Sequence, residues 1–420
     1  MAHSSARPAS LALDGGVLLA QLTELGSVGA EPGAGGRTRL ALTDADRAGR
    51  DLLCAWMRDL DLEVRIDRVG NILGTLPAHA AAPPLMIGSH IDSVRNSGAL
   101  DGCYGVLAGL AVARAFRRAG VTPPRPICIA AFTNEEGVRF QPDMLGSLVF
   151  AGGFGIEEAL DLVGTDGTRF RDELARIGYA GPFEPGADRP HEYLELHIEQ
   201  GPILDAENLD IGVVETLQGI SWQRLVIHGR ANHAGTTPLS LRHDAGYVAA
   251  AIVAYLREAI ATPSRGTTLA TVGCLKLEPD VINVIPRRAT LTVDLRDPDG
   301  GRLREAEAKL AQFLADIAAR EGVRIDAERL ARFDPVTFDP TLAHAIESAA
   351  EGRGLTHRRM TSGAGHDAQM IARIAPAAMI FVPSRDGVSH NPREHTDERH
   401  LLAGAELLLD VVLARLEHPR

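Results

Sequence analysis

The 420-residue chain has no stretch approaching about 20 consecutive apolar residues, which excludes a membrane-spanning helix. Its start, MAHSSARPASLALDGG, lacks a long apolar segment ahead of a small-residue cleavage site. It therefore does not read as a secretory signal, and a cytoplasmic protein is expected. No basic block stands out and the net charge is −12, which argues against nucleic acid or an anionic membrane as partner. The four cysteines (Cys54, Cys103, Cys128, Cys274) never come closer than 25 residues, so there is no Cys-x-x-Cys metal or redox motif. Four reduced thiols are the expected state. Lysine is nearly absent, 2 residues against 41 arginines, a bias of codon usage rather than of function. Internal repeats are missing, and low complexity is confined to the polar, Gly-rich start with EPGAGG at 31–36. What remains is 45% hydrophobic and 23% charged, an ordinary soluble composition with a sizeable core. At roughly 100–200 residues per domain it predicts two domains or three, acting on small substrates or proteins.

Several short apolar runs read as buried strands, each ending in a polar, Gly-containing turn. They are Leu85–Ile87 before GSHIDS, Ile127–Phe132 before TNEEG, and Ala377–Val382 before PSRDGVSHNP. Tyr193–Ile198 alternates and runs into EQGP. Gly102–Ala119 carries Val106, Leu107, Leu110 and Phe116 on one helical stripe that Gly120 stops. Strand–helix alternation of this kind predicts an α/β domain with a mixed, largely parallel sheet. The middle differs. Trp222–His228, Thr268–Leu275, Ala289–Leu295 and Val323–Leu330 are strand-like, and Leu239–Ile260 and Leu303–Ala319 are helical. That order, β-α-β-β-α-β, is a ferredoxin-like α+β unit, expected as an insertion at 214–330 into a discontinuous domain of 1–213 and 331–420.

The chemistry-bearing residues fall where apolar runs end, and in open α/β sheets ligands bind beyond the carboxyl ends of strands. His90 and Asp92 follow the first run, Glu135 and Glu136 the second, His197 lies late in the third and His390 follows the last. Asp101 opens the helix after the first run. Imidazole nitrogens and carboxylate oxygens converging on one sheet edge suit a borderline divalent metal. Each residue also has an ordinary reading: Asp101 as a helix N-cap, His90 as a satisfied buried histidine, Asp92 as a turn residue, His390 as part of a polar loop. Within His-x-Asp, Asp92 could instead accept the proton on the far nitrogen of His90 and leave the other nitrogen for metal. The pair Glu135-Glu136 would repel unless a cation neutralised one of them, or it is a solvated acidic turn. With a metal present, one carboxylate coordinates and its neighbour acts as general base towards water.

The segments GSHIDSVRNSGALDGCYGVLAGL (88–110), TNEEGVRF (133–140), LELHIEQGP (194–202), ANHAGTTP (231–238), NVIP (283–286), SGAGHDAQ (362–369) and SHNPREHT (389–396) together resemble the hydantoinase/carbamoylase amidases, within the clan of dinuclear-metal aminoacylases and carboxypeptidases. The resemblance runs through the whole chain in the family's order. It implies two divalent ions per subunit, zinc or else manganese, cobalt or nickel. His90 and His197 would hold the first, Glu136 and His390 the second, and Asp101 would bridge them. Glu135 would be the base and Asp92 the partner of His90. The inserted unit would be a lid and homodimer interface, with His233 reaching the partner's site to stabilise an oxyanion. Asn283 and Arg296 would hold a substrate carboxylate, with Gln200, Gln218 and Gly365 as further contacts. The ordinary readings are a polar turn for His233 and a local ion pair with Asp294 or Asp297 for Arg296. The implied reaction is hydrolysis of an N-carbamoyl (ureido) acid, foremost an N-carbamoyl-L-amino acid, then allantoate or a β-ureido acid; a dipeptide substrate or a non-catalytic metal protein is more distant. Cys103, Tyr104, Gly153 and Leu239 depart from the family's usual residues and bear on substrate shape.

Overall fold

The computed structural model describes residues 11–417 except 32, 34, 80 and 263–265. The first ten residues of the polar start, and two of EPGAGG, therefore lie outside the described residues. No described helix is long and apolar enough to cross a membrane. The chain divides into two compact units, Met1–Glu215 with Phe338–Arg420, and Thr216–Thr337.

The first unit is built on β1 (Glu63–Ile66), β2 (Ile72–Leu76), β3 (Leu85–His90), β4 (Ile127–Phe132), β5 (Glu192–Ile198) and β6 (Ile211–Leu217), joined by the last two strands of the chain, β13 (His357–Ser362) and β14 (Ala377–Val382). They lie in the order β1-β2-β4-β3-β5-β14-β6, with β13 also on β6. The central four, β4, β3, β5 and β14, are parallel. β2 and β6 add antiparallel neighbours on either side. Every residue of the central four is buried, so both faces of the sheet are covered and the strands read as near-continuous apolar runs. The helix Cys103–Ala119 lies across β3 and β5 and ends at Gly120. A β-carbon on Gly105 would fall 2.3 Å from the Leu196 carbonyl oxygen, so glycine is what lets the helix lie so close. Tyr104, one of the departures, buries its ring and donates from its hydroxyl to the Leu401 carbonyl at 2.6 Å, in the helix Glu398–Glu417. The thiol of Cys103 accepts from the buried guanidinium of Arg39 at 2.9 Å. Both departures are thus taken up in packing. All four cysteines are free.

The second unit contains β7 (Gly219–His228), β8 (Leu269–Thr271), β9 (Leu275–Glu278), β10 (Arg288–Asp297), β11 (Arg324–Phe333) and the short β12 (Val336–Thr337). Its antiparallel sheet runs β11-β7-β10-β8, with β9 also on β10. The element order is ferredoxin-like, with the second strand divided into β8 and β9. β10 buries alternate residues, Ala289, Leu291, Val293 and Leu295, beneath the helices Ala245–Tyr255 and Gly300–Glu321. The helix expected from Leu239 to Ile260 is broken. A 3₁₀ turn covers Leu239–Leu241, and the α-helix starts afresh because Asp244 accepts from the amides of Gly246 and Tyr247.

Candidate metal centre

The parallel strands set the spacing. His90 is the last residue of β3 and His197 the next-to-last of β5, its neighbour. His197 Nε2 lies 3.2 Å from Asp101 Oδ1 and His90 Nε2 3.6 Å from the same oxygen. The other oxygen of Asp101 is 3.1 Å from His390 Nε2, which is 3.4 Å from Glu136 Oε2. One carboxylate therefore belongs to two ligand groups, His90–Asp101–His197 and Asp101–Glu136–His390. Glu135 flanks the first, its Oε2 being 3.5 Å from His90 Nε2.

Asp101 does not cap the helix after β3. The cap is Gly102, at φ 66°, which frees the aspartate for the histidines. Glycine is required there twice over, for the left-handed backbone and because a β-carbon would sit 2.4 Å from the His90 ring. The far nitrogens of both histidines are pinned by backbone. His90 Nδ1 donates to the Asp92 carbonyl at 2.9 Å and His197 Nδ1 to the Ile198 carbonyl at 2.8 Å. His90 Nε2 is then left facing the carboxylates, and His197 Nε2 faces Asp101 while accepting from the Gly102 amide at 3.1 Å, which marks it as a lone pair. Asp92 thus orients His90 through its carbonyl, its carboxylate standing 3.8 Å away. That carboxylate accepts from the amides of Glu135 at 3.2 Å and Glu136 at 3.4 Å, fixing the acidic turn.

The electrostatics ask for a cation. Burial pushes the Glu135 carboxyl well above its usual range, and Asp367, Glu136 and Asp101 add to the push against the pull of His90. Burial, reinforced by Asp101, raises Glu136 to about 8. Asp101 runs the other way: burial opposes its ionisation, but hydrogen bonds with His197, His390 and His90 hold it well below the usual range. His390 is raised to about 9, first by its hydrogen bond to Asp101. Three imidazoles and two carboxylates, with the orientations of His90 and His197 fixed from behind, are a donor set that fits zinc or a similar divalent ion.

The remaining expected residues fall in two places. Gln200, at φ 57°, donates from Nε2 to Asp101 Oδ2 at 2.9 Å. Gly365 lies in the loop after β13, where a β-carbon would meet Met144 at 3.2 Å. The other four belong to the second unit. There the 231–238 loop lies against 283–285: Ala234 donates its amide to the Asn283 carbonyl at 3.0 Å. His233 is exposed, and its Nδ1 accepts from the amides of Gly235 at 3.1 Å and Thr236 at 3.2 Å. The neutral ring therefore carries its proton on Nε2. Arg296 forks onto Asp294, with contacts of 2.9 to 3.1 Å. Gln218 has a buried Oε1 without a hydrogen-bond partner.

Against known proteins, the model of the Peptidase family M20/M25/M40 matches residues 86–414. The N-carbamoyl-L-amino-acid amidohydrolase of Rhizobium meliloti is 41% identical over 398 residues, 94% of this chain and 95% of that protein. A hydantoinase/carbamoylase-family amidase from Burkholderia multivorans has a solved structure with a TM-score of 0.93 at 42% identity, covering 98% of this chain and 100% of that one. The chain belongs to the M20 family, among its hydantoinase/carbamoylase amidases. It is an amidohydrolase, acting on carbon–nitrogen bonds other than peptide bonds. The ureidoglycolate hydrolase of Arabidopsis thaliana is 34% identical over 418 residues, 97% of this chain and 87% of that protein.

Sequence reasoning missed residues that surround the candidate centre. His366 packs edge-on against His197, ring centroids 4.6 Å apart, and its Nε2 is 3.0 Å from Ser362 Oγ. Glu195 accepts from Ser89 Oγ and the Ala368 amide, both at 2.7 Å. Glu195 and His197 are two apart on a strand and so share a face, a signal the sequence did contain. Asn71 accepts from the Thr133 amide at 2.9 Å and donates to Asp67 at 2.8 Å, anchoring the turn before Glu135 from 62 residues away. No local pattern marks it.

Proposed function

We propose that this amidase hydrolyses the linear carbon–nitrogen bond of an N-carbamoyl (ureido) acid, N-carbamoyl-L-amino acids first, with two divalent ions per subunit, zinc or else manganese, cobalt or nickel. One observation carries the reading: Asp101 offers one oxygen to His90 and His197 and the other to His390, with Glu135 beside them. His90 and His197 would hold one ion, Glu136 and His390 the other, and Asp101 both. When bound, the ions supply Lewis acidity, polarising the ureido carbonyl and lowering the pKa of water from near 16 towards about 7.

The rest is the work of the chain. Glu135, buried and raised, takes the proton of the attacking water and returns it to the leaving nitrogen. Water's oxygen bonds to the ureido carbon and the bond to the amino nitrogen breaks, releasing the amino acid, and the carbamic acid left behind loses its own carbon–nitrogen bond to give ammonia and carbon dioxide. His233, with its proton on Nε2, donates to the developing oxyanion. Arg296 and Asn283 take the substrate carboxylate, for which a guanidinium fork is suited; Arg296 must then share or leave Asp294. Gln218 has an acceptor oxygen to spare for a ureido N–H. Gln200 holds Asp101 in place, and Gly365 is a further contact for the substrate.

A homodimer through the second unit is part of the proposal, with His233 serving the partner subunit's site. Its support is the exposure of large apolar side chains in that unit, Ile282 at 102% and Leu239 at 82% among them. Free cysteines fit a cytoplasmic location. Ureidoglycolate, allantoate and β-ureido acids form the second reading, supported by the likeness to the Arabidopsis ureidoglycolate hydrolase.

The test is ammonia release after metal removal and separate restoration of zinc and manganese. The panel contains N-carbamoyl-L- and D-amino acids, N-carbamoyl-β-alanine, allantoate, ureidoglycolate and a dipeptide. Turnover of carbamoyl-L-amino acids above all others is expected. Turnover of the dipeptide alone, or silence with metal bound, overturns the reading.

A further inference from the structure

The two ligand groups are built differently. His90 and His197 stand on buried strands, 2% and 1% exposed, whereas His390 is 49% exposed on a loop. Its backbone is left-handed at φ 52°, a conformation that non-glycine residues rarely adopt without support. The support comes from four residues on. Glu394 Oε1 accepts from the amides of Leu100 at 2.9 Å and Asp101 at 3.3 Å, while Oε2 accepts from the hydroxyl of Ser389 at 3.0 Å. A single carboxylate thus ties the backbone of the shared ligand to the residue that precedes His390. Gly98 makes the approach possible, since a β-carbon there would fall 2.2 Å from Glu394 Oε1. Setting this carboxylate beside that of Asp101 costs repulsion, and its three hydrogen bonds to the two loops are what offset it. Gln200 completes the tie, donating from Nε2 to Asp101 Oδ2 at 2.9 Å and to Ser389 Oγ at 3.4 Å.

We propose that Glu394 is a positioning residue that clasps the His390 loop to the Asp101 turn, so that the group Asp101–Glu136–His390 is assembled before any ion arrives. The inference rests on the two-ion reading for its metal arm and on none of it for its backbone arm. Without the clasp, His390 must be ordered by the ion itself, and the second ion loses far more affinity than the first, two of whose three ligands stand on strands.

The experiment compares metal-free wild type, Glu394→Ala and Glu394→Gln by Co²⁺ and Zn²⁺ titration and by amide hydrogen exchange. In Glu394→Ala the weaker binding event should drop by tenfold or more with the tighter one within threefold. The amides of Leu100, Asp101 and 389–396 should exchange faster in the absence of metal. Glu394→Gln keeps the volume and one acceptor oxygen, and should recover part of both effects. If Glu394→Ala does not fold, Glu394→Gln decides alone: a weaker second event with an unchanged first supports the clasp, and wild-type behaviour overturns it. Equal weakening of both events, or unchanged exchange at Leu100 and Asp101, also overturns it. A wild type that binds only one ion sinks the two-ion reading, and the exchange data then still decide whether the clasp exists.

Discussion

The two sheets put polar side chains to different use. In the first unit the central strands are buried along their whole length, so a polar residue on them must find a partner inside the protein. β5 reads EYLELHI, and its polar members are all engaged: Glu192 pairs with Arg415, Glu195 with Ser89 and the Ala368 amide, His197 with Asp101. In the second unit one face of the sheet is open. β10 alternates, and its Thr292, Asp294 and Arg296 are half-buried on that face. A charge on a covered strand is therefore a statement about chemistry or about a distant partner. On a one-sided strand it is half the time only the outer surface, and its function must be argued from what surrounds it.

The sharpest way to break the comparison is at the shared carboxylate. Asp101→Ala should lose bound metal and all measurable turnover; metal analysis of the purified variant showing two equivalents retained would contradict the bridging role. Next is Glu135→Gln, expected to keep its metal while turnover falls by roughly 10²–10⁴-fold, the usual worth of a general base. Near-normal kcat there sinks the assignment. His233→Ala should cost about 10²–10³-fold in kcat, as for one lost oxyanion donor, with metal content and melting temperature unchanged because the residue is exposed. A rise in KM with kcat unchanged would move His233 from the oxyanion to ground-state binding.

Stability measurements sharpen the same contrast at smaller scale. Glu192 is 1% exposed and its partner Arg415 is half-buried at 12%, so Glu192→Ala leaves the guanidinium without its carboxylate and should cost about 2–3 kcal/mol in denaturant unfolding. The pair Arg224–Glu328 joins β7 and β11 across the open face of the second sheet, with side chains 46% and 62% exposed. Glu328→Ala should cost less than about 1 kcal/mol. Equal losses from the two variants would remove the distinction between the sheets.

The same contrast explains what was legible. β4 and β14 run over Ile127–Phe132 and Ala377–Val382, as expected from their unbroken apolar runs. β5 begins one residue earlier than expected, at Glu192, because the arginine that makes a buried glutamate tolerable lies 223 residues away. β11 was expected to stop at Leu330 and reaches Phe333 through a bulge between Arg329 and Ala331, in a sequence too polar to show a second face. The candidate ligand positions stood out because strand ends concentrate chemistry. Their supports did not: the Asp92 carbonyl, Asn71 and Glu394 act through backbone atoms or across long separations. A motif names such residues without saying what they hold.

The double use of Asp101 has a consequence for descent. A change at His390 or Glu136 removes a donor from one group, and a change at His90 or His197 from the other. A change at Asp101 removes a donor from both at once, so no lineage can pass through it to a one-ion enzyme by a single step. On the two-ion reading, relatives that bind a single ion should therefore differ at the positions of Glu136 and His390 while keeping this aspartate, and an aligned set of such sequences would show whether they do.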